Sequence, residues 1–118
     1  MASVALGGLV GTWVNTNPAT SGIVKVVLTD NHGSLRVHLY GACHPSPCDW
    51  GEVAGLAYAA SIAGGPAVAF TANYGFSFKS TIVNGHIEGI MLVVEDFSVF
   101  TDHSGRAAYF DKGTFKKA

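Results

Sequence analysis

Apolar positions recur in this chain with a period of two over short stretches, and no stretch of useful length carries the 3.6-residue period of a helix. Alternation sends successive side chains to opposite faces, so each stretch reads as a half-buried β-strand. Eight such runs follow one another. The first four cover Leu9 to Asn15, Ile23 to Thr29, Leu35 to Ala42 and Val53 to Ile62. The next four cover Ala67 to Tyr74, Phe76 to Val83, Ile87 to Phe100 with a bend expected at Glu95-Asp96, and Ala107 to Phe115. Turn formers stand between them, among them Thr16 to Gly22, Asp30 to Gly33, Ala63 to Pro66 and Thr101 to Gly105. Asn84-Gly85 is the strongest hairpin signal of all.

The runs are joined in simple hairpin order, without the long return connection of a Greek key. Closing the sheet on itself removes the unpaired edges that an open sheet would leave. The predicted fold is therefore all-β, an eight-stranded antiparallel up-and-down β-barrel, with residues 1–118 forming one domain.

In Gly11-Thr-Trp13 the glycine permits close chain approach, and Trp13 is expected inside as a plug in the barrel floor. With that face inward, the period of two directs Leu35, Val37 and Leu39 into the barrel. Arg36, His38 and Tyr40 then form an outer polar patch with Lys25, or simply a solvated face. A barrel of eight strands is either filled by its side chains or holds one small ligand, and both options stay open at this point.

Only 13% of the residues are charged, while 48% are hydrophobic. A surface this short of charge points to self-association, as a dimer or tetramer. The seventh run adds to this, because Ile90, Leu92 and Val94 on one face and Met91 and Val93 on the other all call for burial. The net charge of −1 and the lack of clustered Lys and Arg argue against nucleic acid and membrane as partners. Lys116-Lys117 reads as a solvated tail. The apolar run Met1 to Val10 is too short to span a membrane and makes a poor signal peptide.

Cys43 and Cys48 enclose His-Pro-Ser-Pro, a wider spacing than that of redox or zinc motifs. A local disulfide is expected, two free thiols being the alternative, and the disulfide would imply a secreted chain. Residues 43–51 read as a rim loop that carries Trp50 over the barrel mouth. There the indole either stacks a flat ligand or a sugar, or packs onto the mouth or a neighbouring subunit. Asp49 and Glu52 beside it would accept sugar hydroxyls or cap the turn. His38, His44, Asp49 and the cysteines show no recognised metal-ligand spacing. Ser46, Ser77, Ser80 and Ser104 lack the setting of a nucleophile. His86 and Glu88 share a strand face, as an acid and base pair or an exposed polar row. No catalytic residue, metal or cofactor is assigned.

Several segments carry a resemblance to a known family. Gly11-Thr-Trp-Val-Asn15 resembles the opening strand of avidins and streptavidin, and Gly33-Ser-Leu35 the turn into their third strand. Ala67-Val-Ala-Phe-Thr-Ala-Asn-Tyr74, Lys79-Ser-Thr81 and Asn84-Gly85 are similar to their fifth and sixth strands, and Gly113-Thr-Phe115 to their last. The resemblance implies a ligand-holding barrel in which Asn15, Thr81 and either Ser21 or Thr20 keep polar site positions. It departs from the family where Phe70 and Val83 stand for wall tryptophans, Leu39 for a tyrosine and Gly113 for an aspartate. Each lost polar contact would leave part of a buried urea-like group unpaired, at about 1 to 3 kcal/mol, which argues against biotin as the ligand.

The expected function is a non-enzymatic small-ligand-binding barrel, with Asn15, Ser21, Phe70, Lys79 and Thr81 lining its cavity and Trp50 over its mouth. The alternatives are a carbohydrate-binding, lectin-like module that uses the Trp50 loop, and a barrel enzyme acting on a small ligand through Lys79 or His86.

Overall fold

A computed structural model describes residues 2–118. Among them no helix forms, and the strands are β1 (Val4–Ala5), β2 (Gly11–Asn15), β3 (Ile23–Asn31), β4 (Ser34–Gly41), β5 (Cys48–Ala59), β6 (Gly65–Gly75), β7 (Lys79–Glu88), β8 (Met91–Phe100) and β9 (Tyr109–Lys117). Strands β2 to β9 each pair antiparallel with their neighbours in sequence. β9 returns to β2, placing Lys117 opposite Trp13 and Phe115 opposite Asn15, and this closes an eight-stranded up-and-down barrel. The ninth strand, β1, lies parallel to the overhanging start of β6, with Val4 opposite Gly65.

The predicted strands appear in the predicted order, but their bounds move: β5 begins at Cys48, so residues 48–51 of the expected rim loop are strand, and Lys116-Lys117, expected as a solvated tail, pair in β9 with Val14 and Trp13. Asn84-Gly85 is not a hairpin; it lies inside β7, and the chain turns instead at Gly89-Ile90 between the paired Glu88 and Met91. Gly85 is needed for space. It stands opposite Phe70 on β6, and a methyl group there would come within 2.2 Å of the Phe70 ring. The seventh run is thus split into the end of β7 and the whole of β8. The bend expected at Glu95-Asp96 is absent, because β8 keeps unbroken register with β9 from Leu92 to Ser98.

Inward alternation is as expected: Leu35, Val37 and Leu39 are buried, while Arg36, His38 and Tyr40 lie outside and half-buried. Outside, Arg36 pairs with Glu52 at 3.3 Å and His38 with Asp49 at 2.5 Å, and Lys25 stands over the Tyr40 ring. At the floor, Trp13 is buried with Leu6 and Leu9, and its indole N–H donates to the Leu9 carbonyl at 2.9 Å. Around and above it, Val26, Leu28, Val37, Leu39, Phe70, Val83, Leu92, Val94 and Phe115 fill the interior. Full burial of such side chains contributes about 1.5 to 3 kcal/mol each. These side chains fill the lower barrel, and a cavity opens toward the other end.

Much of the seventh-run demand for burial is met within the chain. Leu92 and Val94 enter the core, and Val93 is buried on the outer face between the cross-strand His86 and Thr114. Ile90, for which burial was expected, is instead exposed in the β7–β8 turn, and farther along the outer face Ile82, Phe97 and Phe110 form an exposed apolar row across β7, β8 and β9.

Candidate functional site

The open end of the barrel is shaped by an irregularity in β5. His38 pairs with Glu52 and Tyr40 with Asp49, so Trp50 and Gly51 together face the single residue Leu39. Such a bulge re-aims side chains. Gly51 takes a positive φ of 85°, and Trp50 turns over the mouth against Gly41, where a methyl group would meet the indole nitrogen at 2.6 Å. The bulge also takes the Leu39 N–H and the Gly51 carbonyl out of the ladder. Tyr74 on β6 replaces the missing partners: its hydroxyl accepts from the Leu39 N–H at 3.2 Å and lies 2.8 Å from the Gly51 carbonyl. Burial pushes the Tyr74 hydroxyl up to about 12, which keeps it a proton donor. The Cys43–Cys48 disulfide, formed as expected, closes the hairpin loop beside this wall.

Trp50 meets Tyr74 and Phe76 edge-on, with ring centroids 5.8 and 5.6 Å apart. These walls enclose a cavity of about 510 Å³ lined by Ser21, Gly22, Ile23, Gly41, Ala42, Cys43, Cys48, Trp50, Phe76, Phe78, Lys79, Asp96, Tyr109, Phe110 and Asp111. Small-molecule sites commonly measure roughly 300 to 1,000 Å³ and combine apolar walls with a few convergent polar groups.

Two buried ionisable side chains supply those groups. Lys79, 8% exposed, donates to the Tyr109 hydroxyl at 3.1 Å, and its ammonium lies 5.1 Å from the Trp50 ring centroid and 5.6 Å from that of Phe76. A cation over aromatic faces is attracted by their quadrupoles. Asp96, 4% exposed, has its carboxyl pushed up to about 6, by burial first and then by Asp111, with Lys79 opposing.

Of the expected site residues, Ser21, Trp50 and Lys79 come together at this cavity. Phe70 is packed into the core against Gly85, and Thr81 is buried below, its hydroxyl 2.8 Å from that of Ser98. Asn15 holds the β2–β3 loop: its amide donates to the Ile23 carbonyl at 2.9 Å, and its side-chain oxygen accepts from the Asn17 N–H at 2.8 Å. Asp96, Asp111, Tyr109 and Phe76 are absent from the expected set. Asp96 had a signal, since Leu92, Val94, Asp96 and Ser98 share one face at a period of two. Elsewhere, His86 and Glu88 form an exposed pair at 3.0 Å, and no group of three metal-ligating side chains gathers among the described residues. No family model, curated protein or solved structure matches this chain.

Proposed function

We propose that the protein is a non-enzymatic binder of a small organic ligand, held in the barrel mouth between Trp50, Phe76, Lys79 and Asp96. The observation that carries this reading is the aromatic-walled cavity of about 510 Å³, into which two buried ionisable side chains face above a solid core. A purely structural barrel end gains nothing from buried charge, because desolvating a carboxylate costs free energy unless a partner repays it. Binding, not turnover, is favoured because among the described residues no histidine lines the cavity and its two cysteines are bonded to each other. Kinship with the avidins is part of the proposal, supported by the closed barrel order, with a ligand other than biotin. So is self-association through the outer row Ile82, Phe97 and Phe110.

A ligand-observed NMR screen of chemically diverse fragments against the whole chain tests the site. Hits that bind Trp50→Leu roughly fivefold more weakly are expected, as loss of about 1 kcal/mol of ring contact would give. A screen whose hits are all indifferent to Trp50→Leu, or that yields no hits, overturns the reading.

A further inference from the structure

Asp96 and Asp111 are direct cross-strand partners on β8 and β9, and both line the cavity. Like charges placed opposite each other in a ladder are destabilising, so the pair calls for compensation. Lys79 does not form an ion pair with either. Among the described residues neither carboxylate has an ion-pair or hydrogen-bond partner, and the Lys79 ammonium is turned to the Tyr109 hydroxyl and the surrounding rings. Asp96 is thus only 4% exposed, and its carboxyl oxygens, without a partner among the described residues, open onto a cavity with aromatic walls. With both carboxylates ionised, two negative groups stand against one positive group, and the site keeps one negative charge.

We propose that this mouth takes a small organic cation, a protonated aryl-alkyl amine, with its ammonium against Asp96 and Asp111 and its apolar part against Trp50 and Phe76. This rests on the small-ligand reading and specifies its chemistry. An anionic ligand drawn to Lys79 would have to face both carboxylates. A metal ion would find only two carboxylates among aromatic rings, too few ligands for a hard cation. An organic ammonium satisfies the carboxylates by charge-assisted hydrogen bonds and gains from the ring faces as well. The titratable groups that line the cavity with Asp96 are Asp111 and Tyr109 on β9 and Lys79 on β7. Deprotonation of Asp96 near pH 6 is therefore coupled to amine binding.

The test uses matched sets of aryl-alkyl amines, alcohols and carboxylates titrated into the whole chain, with affinities and binding positions read by NMR shift mapping. Amines are expected to bind at the mouth roughly tenfold more tightly than the isosteric alcohols. That preference should disappear in Asp96→Asn and shrink in Asp111→Asn, each variant first shown to be folded by near-ultraviolet circular dichroism. It should also weaken as pH falls to about 5, where Asp96 takes up its proton. Equal binding of amines and alcohols at the mouth, or tighter binding of carboxylates, overturns the cation assignment and leaves the small-ligand reading standing. Failure of all three sets to bind there overturns both.

Discussion

The Tyr74 hydroxyl reaches past β5 to accept the Leu39 N–H at 3.2 Å while lying 2.8 Å from the Gly51 carbonyl. One side chain thereby satisfies both backbone groups that the β5 bulge removes from the ladder, and the bulge is what aims Trp50 at the mouth. Tyr74→Phe keeps the ring but leaves a buried donor and acceptor unpaired. The expected cost is about 2 kcal/mol, measured as a lower midpoint in urea unfolding. Trp50 should also lose its fixed position, seen as a weaker near-ultraviolet circular dichroism signal. An unchanged midpoint would show that water replaces the hydroxyl at no cost.

Gly85 and Phe70 make a second dependent pair. Gly85→Ala forces a methyl group against a ring in a packed interior, and overpacking of this kind costs about 1 to 3 kcal/mol. Pairing it with Phe70→Leu should restore part of the loss, so the double mutant is expected to be more stable than the sum of the single changes implies. Strict additivity would contradict the contact.

These two places explain what the sequence conceals. Period-two alternation made the strand order and the inward faces of β4 legible, since Leu35, Val37 and Leu39 follow it without interruption. Asn84-Gly85 misleads because its glycine serves the Phe70 ring, a contact made across strands and invisible to local turn chemistry. That Ser21, Trp50 and Lys79 meet at the barrel mouth was also legible. Asp111 was not, because its inward role depends on the register of β9 against β8, which closure of the barrel sets.

Asp96 makes stability depend on pH in an unusual direction. Its folded-state pKa, about 6, lies above the ordinary carboxyl value of 3.8, so between these values the folded chain holds a proton that the unfolded chain releases. This group therefore favours the folded state more as pH falls from about 7 toward 4, and its ionised form costs about 2 to 3 kcal/mol at neutral pH. Asp96→Asn is expected to raise the thermal midpoint at pH 7 and to flatten that part of the pH profile. A variant less stable than the parent at pH 7 would contradict the account.

The outer row Ile82, Phe97 and Phe110 is 51%, 40% and 51% exposed, and the Phe97 and Phe110 ring centroids are 5.2 Å apart. If it mediates self-association, light scattering after gel filtration will give a multiple of the 12.3 kDa chain mass. Phe97→Lys should then shift the mass to that of one chain. A parent protein that runs as a monomer at micromolar concentration contradicts this.

A crystal structure of the chain with the tightest-binding amine from the matched sets tests the central claim most directly. Ligand density is expected in the mouth, with the amine nitrogen within hydrogen-bonding distance of Asp96 and the ring against Trp50. A mouth filled by Trp50 and Phe78 side chains, with the ligand bound on the outer surface, would contradict it.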